Sequence, residues 1–384
     1  MRQSLEHSLK SLEKWVEGHQ YKGYEPFDAL LSPLRFVTFH NKFAERLLIQ
    51  LIRQSPLNLR PLFRIPPHES TKGRGYMAWG YVKMYKVTGK TEYMDKANTC
   101  FRWLMENKSP GYPEYCWGNH FDFTSRGGRL PKFEPTIVWS SLIGQAFLDA
   151  YEAFRHDEYL EVAKSICGWI LNLPRERTKK GACLGYVNCA LEAMEPVHNS
   201  NMLGASLLAR VAKYSGDGKM SETAREAMEY SCTRQLPNGS WYYGEHDKNH
   251  WIDNFHTGYN LDSLKCYIEN TKDKTYESNL VRGFEFYKTS FFTDRGIPKY
   301  YHDRTYPVDI QCASQAIETL MNFSRYDNSS LRLALKVSNW TIENMQDRTG
   351  FFYYRILPAM KVKIPMLHWG QATMYNALTS ILAR

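Results

Sequence analysis

Several signatures that would assign a chemistry directly are missing from the 384 residues. There is no GxxxxGK(S/T) loop to cradle a nucleotide phosphate, no HExxH pair to hold a catalytic zinc and no GxSxG turn to present a nucleophilic serine. The eight cysteines contain no CxxC pair, which argues against structural zinc, and Cys100, Cys167, Cys232, Cys266 and Cys312 fall inside helical patterns. Reduced, buried thiols in a cytoplasmic protein are the expectation. No DxDD run of a squalene-type cyclase occurs. The FHTG and LHWG turns also lack the neighbouring cysteine with which the toroidal prenyltransferases and lanthionine cyclases hold zinc. Neither a metal nor a cofactor is expected. No stretch approaches the ~20 apolar residues that span a bilayer. The N-terminal MRQSLEHSLKSLEKWVEG is charged and amphipathic, without the apolar core of a secretion signal. The chain is therefore expected to be neither transmembrane nor exported.

Charge is only mildly one-sided. Lysine and arginine number 49 against 40 acidic residues, a formal net charge of +9. That excess suits an anionic partner such as an acidic sugar, a nucleic acid or a membrane surface. The one basic run, RERTKK from Arg175 to Lys180, has the make-up of a solvated loop. Nucleic acid is not expected.

What the chain has in abundance is helix and aromatic rings, with 26 Tyr and 10 Trp. The stretch from Trp251 to Asn270, WIDNFHTGYNLDSLKCYIEN, joins a polar and aromatic lead-in to an apolar helix, and comparable starts recur along the chain. Taking the small residue near each start, Gly80, Gly144, Gly204, Gly258, Ala313 and Gly370, the steps are 64, 60, 54, 55 and 57 residues. Such a period marks repeated units that cannot bury their apolar faces alone. The repeat continues to the end without a linker, so residues 1–384 read as one closed domain.

In chain order, residues 3–18 predict a helix with Leu5, Leu9, Leu12 and Trp15–Val16 on one stripe. A second helix from Arg35 to Gln54 carries Phe36, Phe39, Phe43, Leu47 and Leu51 on one face. Each repeat then holds one helix that is apolar nearly all round and one that is amphipathic, hence an inner and an outer set. Joins from inner to outer are short and carry cap residues; joins from outer to inner are long, so all the long ones emerge at one end. In those joins Gly239, Gly296 and Gly350 are each followed by paired tyrosines, which predicts short β-hairpins over the helix ends. Six hairpins, with the N-terminal helix as outer partner of the last inner one, give an all-α, α/α six-hairpin toroid.

The mouth of such a ring is where chemistry belongs. Into it would point Tyr24, Glu25 and Asp28 from the first loop, Arg74 before the first inner helix, and Trp117, Asp122 and Arg126 of YCWGNHFDFTSR with Glu134. Further round come His198, Asn199 and Asn201, then Tyr242, Glu245, Asp253, His256 and Asn260, then His302 and Asp309, and finally Tyr354, Arg355, His368 and Trp369. Rings for stacking, carboxylates, amides and arginine forks together suit carbohydrate. Glycoside hydrolysis would need two carboxyl groups, with Asp253, Asp122 and Asp309 as candidates. Proton abstraction from a uronic acid, by a lyase or an epimerase, would instead use His256, His198, His368, Tyr242 or Tyr354, with Arg355 on the sugar carboxylate. An aspartate at a helix start serves equally well as a cap, and a histidine there as a structural hydrogen-bonding group.

The motifs GYEPFDALLSP (Gly23 to Pro33), NLRPL (Asn58 to Leu62), YCWGNHFDFTSR (Tyr115 to Arg126) and FHTGYNLDSL (Phe255 to Leu264) resemble the six-hairpin glycosidase-like superfamily. Within it they are most similar to the toroid proteins of polysaccharide biosynthesis clusters. The resemblance implies an α/α barrel that acts on, or binds, a surface glycan, and leaves the reaction open. Arg74 and His120 depart from the residues more usual there and mark possible substrate contacts. The reading is an enzyme on an acidic poly- or oligosaccharide; the alternative is a glycan-binding component of an assembly system. A terpenoid-type cyclase would need a closed and uncharged cavity, which the charged joins contradict.

Overall fold

The computed structural model describes residues 2–125, 127–188 and 195–384. Arg126, expected at the site, lies outside the described residues. The first helix, α1 (Arg2–Gly18), buries Leu5, Leu9, Leu12 and Val16 along one stripe. The second, α2 (Lys42–Gln54), is shorter than its periodicity predicts. Pro33–Thr38 forms a 3₁₀ turn, and Phe39 and His40 are left-handed at φ 49° and 55°. Asn41 then caps α2, accepting the backbone N–H of Phe43 and Ala44 at 3.0 and 3.1 Å. The apolar face read from the sequence is not the packed one: Ile49 and Ile52 pack on Ala29, Leu30 and Ile65, while Phe43, Leu47 and Leu51 are exposed.

Five helical hairpins follow: α3 (Thr71–Thr88) with α4 (Thr91–Glu106), α5 (Ile137–Phe154) with α6 (Asp157–Leu171), α7 (His198–Ser215) with α8 (Gly218–Cys232), α9 (Asn254–Thr271) with α10 (Glu277–Ser290), and α11 (Ile310–Phe323) with α12 (Asn328–Met345). The last inner helix, α13 (Thr373–Leu382), is entered through a π-helical turn at Leu367–Ala372, and α1 packs behind it. Each odd-numbered helix from α3 touches the next, and α13 touches α3. The ring therefore closes, and the fold is the α/α six-hairpin toroid. Among the described residues no helix is long and apolar enough to cross a membrane.

The inner helices approach closely because their repeated small residues allow it. A Cβ on Gly80 would strike the Tyr375 ring, and one on Gly144 would strike Leu207. Inner helices α3, α5, α7 and α9 end in left-handed caps at Gly89, Arg155, Gly216 and Lys272, with φ between 61° and 68°, which turn the chain at once into the outer helix. Burial pushes the Cys100 thiol up to about 11, as expected for an inert structural cysteine.

The long joins carry three small antiparallel assemblies: β1 (Phe123–Ser125) with β2 (Gly128–Leu130), β3 (Arg175–Arg177) with β4 (Ala182–Leu184), and β5 (Val308–Asp309) with β6 (Arg355–Leu357) and β7 (Met360–Val362). Only the join containing Gly350 has a strand after its tyrosines. Those of Gly239 and Gly296 make isolated bridges, Val197 with Gly244 and Phe292 with Pro298. Their tyrosine backbone is spent differently. The carbonyls of Tyr186, Tyr243, Tyr300, Tyr354 and Tyr24 accept the N–H of Ile137, His198, Asn254, Ile310 and Leu367, at 2.8–3.1 Å. Each join thus satisfies the first orphan donor of the inner helix one repeat behind it.

The glycines of these joins have a second use. Gly239, Gly296 and Gly350 have φ of 91°, 79° and 110° and abut the next outer helix at Arg282, Lys336 and Ser11 respectively. Gly350 against α1 is one of the contacts that close the outer layer, beside Gln346 Nε2 donating to the Ser8 carbonyl at 3.1 Å. Gly350→Ala is expected to destabilise the protein by about 2 kcal/mol or more in urea or thermal unfolding. Gly111→Ala, at φ 82° with open space around it, is expected to cost only about 1 kcal/mol. Equal effects at the two positions would remove the role assigned to the Gly350 contact.

Candidate functional site

At the N-terminal ends of the inner helices lies a cavity of about 760 Å³. Its lining follows from the helix caps. Ser70, Thr136, Asp253 and Asp309 cap α3, α5, α9 and α11 through their side chains. Two or three residues beyond each cap, Lys72, Trp139, His256 and Gln311 reach the cavity, joined by Asn199 from the first turn of α7. The tyrosines of the joins, Tyr186, Tyr243, Tyr300 and Tyr301, supply the aromatic wall together with Trp251 and Trp369. A side hollow of about 340 Å³ shares Tyr186, Tyr243, Trp251 and His256 with it. The floor is polar: the Tyr76 and Tyr259 hydroxyls lie 3.1 Å apart, and Gln311 Nε2 donates to the Tyr259 oxygen at 3.0 Å. Tyr259 also borders a further cavity, about 500 Å³, at the opposite end of the ring. There Arg210 pairs with Asp149 and Glu152, and Lys83 with Glu318.

Two residues of one helix start, Asp253 and His256, are held together at the mouth. Asp253 Oδ1 accepts the His256 backbone N–H at 3.0 Å, while its Oδ2 accepts the Trp251 indole N–H at 3.0 Å and lies 2.6 Å from His256 Nδ1. With the Nδ1 proton directed at this carboxylate, Nε2 carries the lone pair and is the basic atom of a ring that borders both hollows. Tyr243 brackets it, 4.6 Å from the imidazole and stacked at 4.5 Å on Trp251.

Opposite in charge is Lys72, whose ammonium lies 4.0 Å from the centre of the Trp139 ring. Burial pulls its pKa down to about 8, with Glu25 acting against the shift. Glu25 is buried and bonded to His368 Nδ1. Burial works to raise its pKa, but His368 and then Lys72 outweigh it and bring the carboxyl down to about 2. Burial lowers the His368 imidazole. Arg46 and Arg53 of α2 complete the polar rim, so three cations and one carboxylate line the main cavity among the described residues. Three amide oxygens in that lining, Asn119 Oδ1, Asn199 Oδ1 and Gln311 Oε1, are buried without a hydrogen-bond partner. Among the described residues no group of three His, Cys, Asp or Glu side chains is arranged to hold a metal ion.

Of the residues read from the sequence, Asp253, His256, Trp369 and Asn199 meet in this lining. The others are held elsewhere. Asp309 caps α11 and is closed off by Arg355 Nε at 2.6 Å and the Trp369 indole at 2.8 Å, so Arg355 is spent on an internal ion pair. Asp122 is bonded to Arg35 and to the Lys132 backbone at the rim. Asp28 pairs with Arg60 in the interior. Trp117 donates to the Leu104 carbonyl in the core, and Tyr354 is buried. His198 bridges Ser231 and Glu245, and Asn201 ties the β4 backbone to α8. Tyr242 stacks on His250 at 4.1 Å, so its neighbour Tyr243 takes the inward position. Asn260 is buried within α9, and Tyr24 serves through its carbonyl. Arg74 pairs with Glu69, and His120 packs on His68 with ring centres 3.8 Å apart.

Lys72, Trp139, Gln311, Arg46 and Arg53 are site residues that the sequence did not single out, as are the wall residues Tyr186, Tyr243, Tyr300, Tyr301 and Trp251. The first three were available from the caps, since the side chains just past each cap form the ring of the mouth. The two arginines were not, because nothing in the repeat locates α2 at the rim.

No family model matches the sequence, and no curated protein sequence does. Solved structures do match in fold. A glycoside hydrolase family 76 α-mannanase of Bacteroides thetaiotaomicron superposes with a TM-score of 0.63 at 13% identity, over 82% of this chain and 86% of that one. A cellobiose 2-epimerase of Bacillus thermoamylovorans gives 0.59 at 13% identity, over 82% and 87%. A D-mannose isomerase gives 0.61 at 12% identity, again over 82% and 87%. At such identities the likeness is one of architecture, and the chain shares the α/α six-hairpin fold of these proteins.

Proposed function

We propose that this protein is a carbohydrate-active enzyme that moves a proton on an acidic sugar residue of an oligo- or polysaccharide, as an epimerase or a lyase does. The observation that carries this is the Asp253–His256 pair at the junction of the two hollows. Asp253 orients the imidazole, and Nε2 takes the proton from the carbon next to a uronate carboxylate. The C–H electrons pass into that carboxylate as an enolate, whose charge Lys72, Arg46 and Arg53 are suited to hold. Return of a proton on the other face inverts the centre; departure of the group on the next carbon leaves a double bond. The unpartnered amides and aromatic wall fit sugar hydroxyls and pyranose faces. Hydrolysis is less well supported, because it needs two carboxyl groups and the main cavity offers one among the described residues. Two proteins of like fold are by name a sugar epimerase and a sugar isomerase. Surface polysaccharide, the setting implied by the sequence motifs, is the substrate source this reading favours.

The deciding experiment is incubation with neutral and uronic-acid oligosaccharides in deuterated water. Deuterium on the carbon beside the carboxylate, or absorbance of an unsaturated uronate, is the expected result. New reducing ends without either would replace this reading by hydrolysis, and binding without turnover would replace it by a glycan-binding role.

His256→Gln and Asp253→Asn are each expected to lower kcat by roughly 10²–10⁴-fold. Asparagine still caps α9, so the Asp253→Asn melting temperature is expected to stay near that of the parent. Loss of activity only in parallel with loss of fold would refute the assignment. Since Lys72 must be protonated to stabilise the enolate, kcat/KM is expected to fall as pH rises through about 8. Lys72→Arg should shift that limb to higher pH whatever its residual rate; an unmoved limb would exclude Lys72 as its origin.

A further inference from the structure

We propose that α2 and the turn before it form a docking site for an anionic lipid bilayer, seating the mouth of the toroid on the membrane surface. This goes beyond the catalytic reading and does not depend on it. Ile49 and Ile52 anchor the helix to the body, Arg46, Gln50 and Arg53 line the cavity, and Phe43, Leu47 and Leu51 form an exposed stripe whose first two residues also border the cavity. Exposure is large at Phe43, Leu47 and Leu51, 74%, 62% and 52%, and in the preceding turn at Phe36 and Phe39, 66% and 86%. Leu57 and Leu62 extend the patch at 69% and 73%. Other exposed large apolar residues, such as Val281, Tyr326 and Met360, are scattered through other parts of the chain. A contiguous patch of this kind marks an interaction surface.

Charge selects the occupant. From Pro33 to Arg64 the chain carries Arg35, Lys42, Arg46, Arg53 and Arg64, besides Arg60, which is buried against Asp28, and the single acid Glu45; Arg35 is bonded to Asp122 outside the segment. Glu45 is buried and paired with Arg129 at 2.5 Å, leaving no exposed carboxylate within the segment. Apolar side chains flanked by cations are the pattern of helices that lie in the headgroup region of anionic bilayers. A second copy of this chain would bring two such cationic segments face to face. A soluble acidic glycan would meet the arginines and leave the phenylalanines in water. Because Phe43 and Leu47 also border the cavity, the surface that would meet lipid is continuous with the mouth.

The test is co-flotation of the full chain with vesicles of phosphatidylcholine alone and of phosphatidylcholine with about 30% phosphatidylglycerol. Binding is expected on the anionic vesicles, weaker in high salt, and reduced at least about tenfold by the combined Phe36→Ser, Phe39→Ser and Leu51→Ser substitutions. These side chains are exposed, so an unchanged melting temperature is expected for that variant. A second variant, Lys42→Glu with Arg64→Glu, should weaken binding while leaving the apolar patch in place. Failure to float with either vesicle, or flotation that the serine variant leaves unaltered, would overturn the proposal. So would a dimer in sedimentation that the serine variant dissociates, because a second copy would then be the occupant.

Discussion

The toroid depends on one recurrent backbone hydrogen bond. The first N–H of an inner helix has no partner within its own helix, and at five of the six inner helices a tyrosine carbonyl in a neighbouring join accepts it. That bond fixes the height at which each join crosses the ring and so the direction of the side chains beside it. Three of those tyrosines, Tyr186, Tyr243 and Tyr300, also line the cavity. The backbone contact that ties the joins to the ring and the aromatic wall of the cavity are therefore made by the same residues.

Capping gives the mouth its chemistry by a similar double use. Asp253 and Asp309 occupy equivalent cap positions in successive repeats, and both have a spare carboxylate oxygen once the helix N–H is satisfied. Arg355 and the Trp369 indole take up the capacity of Asp309, which leaves it a structural ion pair. Asp253 spends its own on the Trp251 indole and on His256, three residues along the same helix, and so orients an imidazole that borders both hollows. The two aspartates differ in the identity of the second partner.

The repeat, the ring of six hairpins and the end that carries the long joins were all legible, because small residues at close helix crossings and glycines at abutting turns recur with the period of the fold. The outcome was mixed at the site. Asp253, His256 and Trp369 could be read because they belong to the helix starts. Asp28, Trp117, His198, Asn201 and Tyr354 share the same composition and position in sequence, yet burial turns them into parts of the interior. Tyr242 and Tyr243 illustrate the limit most directly. One residue of a pair faces the cavity and the other stacks on His250, and only the path of the join decides which.

The sequence by itself determined the number of helical pairs, their inner and outer character and the clustering of polar and aromatic residues at one end, since these follow from periodicity and local capping. Tertiary structure alone decided that α2 exposes Phe43, Leu47 and Leu51 and turns its arginines to the rim, that Lys72 is buried beside Glu25, and that among the described residues one carboxylate rather than two lines the main cavity. Those outcomes are set by which partner arrives from a distant repeat, and a local pattern of side chains carries no record of that partner.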